Sequence, residues 1–140
     1  MKANFDVLRS DLLLDALVMP INTGHINSQA LERLPSASLS ERQRAIVDVL
    51  QSLVDDGLVV TGYPGQDDDT FVVEPFAETL REVKRTFFDR YDEPSEWIWS
   101  CWIKLTEKGV QIATSTPEGL RVAEHERERP DAIRSERDQG

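Results

Sequence analysis

An α+β fold is predicted for this chain of 140 residues: a three-helix core with a small antiparallel sheet, an extra helix inserted between two strands, and a short C-terminal helix. Two stretches predict it. Residues 38–61 have the pattern of a capped amphipathic helix that passes through a glycine turn into a β-branched strand. Residues 97–113 have the pattern of an alternating strand, a Leu-Thr-Glu-Lys-Gly turn and a further helix.

The central helix has recognisable signals at both ends. Ser38 with Glu41, and Ser40 with Gln43, each have the spacing of a capping box, in which the two residues satisfy each other's free backbone N–H groups. Gly57 lies where a left-handed C-terminal cap is favoured. The apolar residues between these ends repeat at helical spacing, which predicts that one face is buried. They are Ile46, Val49, Leu50, Leu53 and Val54.

The opposite face of the central helix is polar. It carries Arg44, Asp48, Gln51 and Asp55, whose spacings place them on one side of a helix. We expect these side chains to point outward. Asp48 and Gln51 are therefore candidate contacts for a protein partner.

Two helices are predicted before the central one. The apolar stripe of the first helix covers residues 4–19, and the proline that follows ends it. After a loop over residues 21–25, a short second helix covers residues 29–34, with Asn27 or Ser28 as its cap. The second and third helices are close enough in sequence to cross as a helix-turn-helix.

Further elements are predicted after the central helix. A strand over residues 58–61 is broken by the turn formers at 62–65, and a polar loop leads to a short returning strand at 71–73. Residues 76–91 have apolar residues at helical spacing, which predicts an inserted amphipathic helix. Residues 97–105 alternate as a strand.

Alternation along the last strand divides its aromatic residues between two faces. Trp97 and Trp99 share one side, and Ile98 and Trp102 share the other. If the inserted helix covers the second side, both sides are core. The alternative is that Ile98 and Trp102 lie in an interface with another protein or a second copy of the chain, where aromatic residues are enriched.

Charge and composition limit the function classes. The net charge of −10 argues against a broad nucleic-acid footprint, although a local basic patch is compatible with it. A single cysteine excludes an internal disulfide framework. The chain contains no run of about 18 apolar residues and no secretory pattern at its start, so a cytoplasmic protein without a membrane span is expected.

The residues that carry catalytic or metal chemistry are sparse. Cys101, His25 and His125 are far apart in sequence and too few for a zinc site. The aspartates at 67–69 lack the distal glutamate of an EF-hand loop. Cys101 is expected to be a small core residue. No cofactor, no metal and no enzyme activity are expected, because no nucleophile or phosphate-binding motif is present.

The run VLQSLVDDGLVV, followed later by a strand and LTEKGVQIA, resembles the winged helix-turn-helix domains of bacterial regulators. In that family a long third helix ends in a Gly-Leu turn into the first wing strand, and the second wing strand ends in a Leu-Thr-x-x-Gly turn. The resemblance covers about residues 4–113 and implies a winged-helix domain over residues 1–115. Charged residues and turn formers dominate the chain from residue 114 on, which predicts a charged, partly disordered tail over 116–140, with residues 129–140 disordered. The chain departs from the family where residues 62–96 enlarge the wing and where acids occur on the third helix.

Two functions follow from this resemblance and from the charge. The first is a non-enzymatic protein-interaction or regulatory module whose partner is another protein or a second copy of the chain, and the acidic surface favours it. The second is a sequence-specific DNA-binding regulator, which is what the resemblance implies. In the second case Arg42, Gln43 and Arg44 would read base edges. The phosphate contacts would be Arg81, Lys84 and Arg85, which the sequence also allows to be a solvated face paired with Glu82.

Overall fold

The computed structural model describes residues 2–67 and 70–125, and these residues form a mixed α+β fold. Besides the central helix, the described residues contain nine helices and strands, a π-helical turn and a further helical stretch at 117–125. In chain order the elements are α1 (Lys2–Ala16), β1 (Ile21–Asn22), α2 (Thr23–Arg33), α3 (Leu39–Asp55), β2 (Val59–Pro64), β3 (Phe71–Glu74), α4 (Phe76–Val83), the π-helical turn (Lys84–Phe88), α5 (Pro94–Trp97), β4 (Trp102–Leu105) and α6 (Glu107–Ala113).

Helix α3 forms as its sequence predicts. The side chain of Ser38 accepts a hydrogen bond from the Glu41 N–H, and the Glu41 carboxylate accepts one from the Ser38 N–H, so this pair is the capping box. Gly57 has a φ of +72°, the left-handed conformation expected at the helix end. The predicted apolar face is buried, with Val54 only partly covered. The buried members are Ile46, Val49, Leu50 and Leu53.

The four strands form one antiparallel sheet in the order β1-β4-β2-β3. Val59 pairs with Leu105 and Thr61 pairs with Ile103, so the strands on either side of the inserted segment are direct neighbours. Strand β3 pairs with the other edge of β2. Because directly paired residues share a face of a sheet, the row Trp102, Gly62 and Val73 lies on one face and the row Ile103 and Thr61 on the other.

The N-terminal predictions were partly wrong. Helix α1 ends at Ala16 rather than near residue 19, because the following N–H groups bond to carbonyls three residues back. The predicted loop at 21–25 contains strand β1 and the start of α2, whose cap is Asn22 rather than Asn27 or Ser28. The Asn22 side chain accepts a hydrogen bond from the backbone of the first helical turn.

Strand β2 is longer than predicted. Gly62, Tyr63 and Pro64 continue the strand and pair with β3 instead of breaking it. A Cβ atom on Gly62 would lie 1.8 Å from the carbonyl oxygen of Val72, so only glycine allows the two strands this approach. The hairpin therefore extends past the end of β4.

The inserted helix is also not continuous. Residues 76–91 begin as α4 and change to the π-helical turn at Lys84. The predicted stripe still faces inward, since Val83 and Phe87 are buried. Phe87 packs against the rings of Tyr91 and Trp97 at centroid distances of 5.7 and 4.9 Å. The insertion therefore shares the core of the domain.

The strand predicted over residues 97–105 forms only at its second half. Trp97 ends helix α5, its indole N–H donates to the Tyr91 carbonyl, and its ring stacks on Tyr91 at 5.2 Å. This aromatic packing prevails over alternation, so β4 begins at Trp102. Trp97 is buried as expected, but Trp99, which was assigned to the same side, is exposed.

Helix α6 begins as predicted. The Thr106 hydroxyl accepts a hydrogen bond from the Gly109 N–H and donates one to the Gly57 carbonyl. A Cβ on Gly109 would lie 2.0 Å from the Leu58 carbonyl oxygen, so only glycine fits at this position without a shift of the backbone. The two turns noted in the sequence are thus in direct contact. The tail predicted as disordered at 129–140 lies outside the described residues.

Candidate interaction surfaces

Arg42 and Gln43 are buried, with 7% and 5% of their surfaces exposed. Arg42 Nε donates to Asn27 Oδ1 at 3.1 Å, and Gln43 Nε2 donates to the Phe87 carbonyl at 2.7 Å. The expectation that these two side chains point outward, where they could read base edges, is wrong. Their polar groups bind within the domain.

The buried Arg42 connects three parts of the fold. Its Nη2 donates to the Tyr91 hydroxyl at 3.1 Å, and its guanidinium carbon lies 5.8 Å from the centroid of the Tyr91 ring. Asn27 on α2 also reaches Tyr91. The guanidinium is therefore held by neutral oxygens and an aromatic ring, and it fixes α2, α3 and the insertion to one another. For this reason, not every basic residue in the first turns of α3 lies on the surface.

The other predicted basic residues are exposed, and two of them line the same groove. Arg44 from α3 and Lys84 from the π-helical turn line one groove of about 390 Å³, together with Ser40 and an apolar floor of Val47 and Phe88. The structure thus joins a cation on the third helix to one on the insertion. Neither is among the ion pairs found within the described residues.

Arg81 and Arg85 are exposed as well, but Arg85 is engaged. Its Nε and Nη2 donate to the two carboxylate oxygens of Glu82. This hydrogen bonding lowers the pKa of Glu82 and raises the pKa of Arg85. The predicted pairing of Glu82 with Arg85 is therefore confirmed, and it neutralises one of the proposed phosphate contacts.

Asp48 and Gln51 are exposed on α3 as predicted. Gln51 donates to Asp55 on its own helix at 2.8 Å. Asp48 lies on the rim of a groove of about 520 Å³ between α1 and α3, whose floor includes Phe5 and Leu34. These two residues thus belong to the helical surface of the domain.

Trp99 and Trp102 form the most exposed aromatic pair. Their rings stack at a centroid distance of 5.7 Å and an interplanar angle of 17°, and Trp99 is 62% exposed. Trp102 is half-buried beneath it. Ile98 is also half-buried, but it packs against the core and its side chain comes within 3.2 Å of the Cβ position of Gly24. Of the two residues that were predicted for an interface on this segment, Trp102 stacks on an exposed ring, whereas Ile98 packs against the core.

A recess lies next to this pair, and we call it the acidic notch. Strand β2 pairs with β4 only as far as Gly62, so Tyr63 and Pro64 lie beyond the end of β4. The space this leaves is about 270 Å³. Its side-chain lining is Tyr63, Glu74, Glu82, Glu96, Trp99 and Ser100.

Cys101 is buried and chemically quiet. Desolvation, with a smaller contribution from the Glu74 charge, raises the pKa of its thiol from 9.0 to about 12. Since the thiolate is the reactive form, this side chain behaves as the small core residue that was expected.

No protein-family model, curated protein or solved structure matches the chain. Within residues 2–67 and 70–125 no group of three or more His, Cys, Asp or Glu side chains is placed to hold a metal ion. Over the same ranges no helix combines the length and apolar character that a membrane crossing needs. Surface chemistry is therefore the guide to function.

The sequence indicated some of these surfaces and missed others. It predicted that Arg44 and Lys84 lie on exposed helix faces, which is confirmed, but it could not place them in one groove, since 39 residues separate them in sequence. It assigned Trp99 to the core because alternation was continued through residues 97–101. The signal that could have corrected this is Pro94, which favours the first turn of a helix just before the tryptophans.

Proposed function

We propose that the chain is a winged-helix domain that acts as a non-enzymatic protein-interaction or regulatory module. Three features support the winged-helix assignment. The helices α1, α2 and α3 precede strands β2 and β4, with the short strand β1 between α1 and α2. Strands β2 and β4 pair directly as two wing strands would, and α6 follows strand β4 within the Leu-Thr-Glu-Lys-Gly segment. The unit β3, α4 and α5 is then an enlargement between the wing strands.

The stacked pair Trp99 and Trp102 carries the functional proposal. Two indole rings stacked on each other leave the outer one in water, where it loses the hydrophobic gain that burial would provide. Burying an aromatic side chain of this size stabilises a complex by on the order of 2–3 kcal/mol. Tryptophan is also among the residues that contribute most at protein interfaces.

The surface around the pair extends onto the hairpin. Val73 is 62% exposed, and it lies in the same row of the sheet as Gly62 and Trp102. Tyr63 and Val72 are exposed on the opposite side of the hairpin. Four exposed apolar residues, Tyr63, Val72, Val73 and Trp99, therefore lie on the enlarged wing, which is the part of the domain that departs from the common winged-helix form.

Site-specific photo-crosslinking tests this function. A photoreactive phenylalanine analogue replaces Trp99, and in a matched control it replaces Val110, an exposed apolar residue on α6. We expect position 99 to give one discrete adduct in the cells that contain the protein, and position 110 to give none. An adduct of twice the protein's mass would identify a second copy as the partner.

The substitution Trp102→Ser should abolish that adduct while the fold survives, because it removes the ring on which residue 99 stacks. Circular dichroism checks the fold. Equal adducts at positions 99 and 110, or none at 99, would contradict the assignment. Ile98→Ser is the poorer variant, since Ile98 packs against the core.

DNA binding is a second candidate, and the groove shared by Arg44 and Lys84 is the observation that favours it. Both cations can contact phosphates, and such binding weakens steeply with salt. A selection from random duplex DNA at low salt tests it. Enrichment of one sequence that is lost in the double variant Arg44→Ala, Lys84→Ala would support this candidate, and no enrichment at all would remove it.

A further inference from the structure

The acidic notch has a shape that follows from the sheet. Strand β2 continues beyond its last pair with β4, which joins Gly62 to Trp102. The chain before β4 turns through Trp99 and Ser100 and does not pair with β2. A recess of about 270 Å³ is left at this point. It opens next to the aromatic pair that carries the proposed function.

The three carboxylates of the acidic notch are not equivalent. Glu82 has both oxygens bound by Arg85 and is neutralised. Glu74 is half-buried, and its Oε1 accepts a hydrogen bond of 2.9 Å from the buried Thr79 hydroxyl. No cation lies within ion-pair distance of Glu74 among the described residues.

Glu96 is exposed and only weakly paired. Its partner Arg90 Nη1 lies 3.9 Å away and is closer to Glu93, at 3.4 Å, and Glu96 also interacts electrostatically with Arg85, which is hydrogen-bonded to Glu82. The three carboxylates of the notch outnumber these two shared arginines, so the notch keeps a net negative charge. The carboxylates line it without meeting at a point that would hold a metal ion, within the part of the chain that the structure describes.

Two aromatic rings border the same recess. Tyr63 is 48% exposed and Trp99 is 62% exposed. The face of an aromatic ring attracts a cation, and tryptophan does so most strongly. Carboxylates and aromatic faces in one small recess are thus complementary to a positively charged group on an apolar stem, which is the chemistry of a lysine or arginine side chain.

We propose that the acidic notch binds the side chain of a lysine or arginine in a basic segment of the protein partner. This inference rests on the proposed function, because it assigns the chemistry of the partner that docks on Trp99 and Trp102. The net charge of −10 supports a basic partner over a second copy, since two copies repel each other. No cation is among the described residues that line the notch, and Arg85 and Arg90 are engaged with glutamates.

A peptide titration tests the inference on the full chain. The probe is a short Gly-Ser peptide that carries lysines, and its control is the same peptide with glutamine at each lysine. Nuclear magnetic resonance of the labelled protein follows the indole N–H of Trp99 and the amides of Tyr63 and Glu74. We expect the lysine peptide to shift these signals and the glutamine peptide to leave them unchanged.

Two charge-matched double variants make the test specific. Glu74→Gln with Glu96→Gln should raise the Kd for the lysine peptide about tenfold. Glu118→Gln with Glu124→Gln removes the same charge from the exposed helical stretch 117–125 and should leave the Kd within about twofold. The amide spectra of both variants check that the fold is kept.

Three results would overturn the inference: equal weakening in both variants, binding of the glutamine peptide, or the same shifts with calcium chloride alone. The first would indicate a general acidic field, and the last a small-cation site. If the crosslink at position 99 forms with undiminished yield in the Glu74→Gln, Glu96→Gln variant, the proposed function stands and the basic-segment assignment fails.

Discussion

Helix α3 and the segment 84–101 differ in how far their local sequence determines their structure. Helix α3 has a capping box, a regular apolar stripe and a glycine stop, and it forms between those signals. The segment 84–101 has a good helical stripe followed by good strand alternation, yet it forms a π-helical turn, a loop and the short helix α5. In this segment the packing of the aromatic side chains outweighs the local preference for helix or strand.

The difference comes from where each region obtains its stability. In α3 the hydrogen bonds of the cap and the helix are local, and tertiary contact only covers a face that is already apolar. In the segment 84–101 the rings of Phe87, Tyr91 and Trp97 pack on one another. The backbone takes the form that this packing allows. Substitutions in each region can sharpen or break this comparison.

Phe87→Ala should have the largest effect. Phe87 is fully buried at the centre of the aromatic cluster, and its removal leaves a cavity that costs about 4 kcal/mol in the free energy of unfolding. Urea denaturation measures the loss. Phe88→Ala is the matched control, because the neighbouring ring is only half-buried and should cost clearly less. Equal losses would mean that the cluster does not determine this segment.

Arg42→Ala should be next, at about 3 kcal/mol, because Asn27 and the Tyr91 hydroxyl lose a partner and buried stem packing is lost. Arg44→Ala, two positions along the same helix and exposed, should stay within about 0.5 kcal/mol of the parent. Thermal or urea unfolding of the two variants compares them directly. Similar values for both arginines would contradict the buried role of Arg42.

Ser38→Ala should cost about 1 kcal/mol, since the cap of α3 loses its acceptor for the Glu41 N–H. The sequence left Ser40 and Gln43 as a second possible capping box, and Gln43 instead donates to the insertion. Ser40→Ala should therefore be nearly neutral when its unfolding curve is compared. A larger loss at Ser40 than at Ser38 would reverse the assignment of the helix start.

Glu82→Gln should have the smallest effect, within about 0.5 kcal/mol, because its ion pair with Arg85 is largely solvated. Arg85 lowers the pKa of Glu82 in the folded chain, so the stabilisation is present above the usual carboxyl value of 4.5 and is lost as pH falls through the folded value. Urea midpoints at about pH 7 and about pH 3 test this. The small difference between parent and variant should vanish in acid, and a difference that grows there would be inconsistent with the pair.

The candidate surfaces differ in the same respect, since one follows from local sequence and the other from tertiary packing. Arg44, Asp48 and Gln51 follow from helical periodicity on α3, and they are exposed as expected. Trp99 and the acidic notch do not follow from periodicity, because they depend on where β4 stops pairing with β2. That end point is decided by the packing of Trp97 on Tyr91.

By itself the sequence determined helix α3, its capping box, the Gly57 turn, the start of α6 and the mixed α+β class, because each depends on residues within about one helical turn of one another. Only the tertiary structure decided that Arg42 and Gln43 turn inward, that Trp99 turns outward, and that Arg44 and Lys84 line one groove. Those outcomes depend on contacts between residues far apart in the chain. A local pattern carries no information about such contacts until the core has formed.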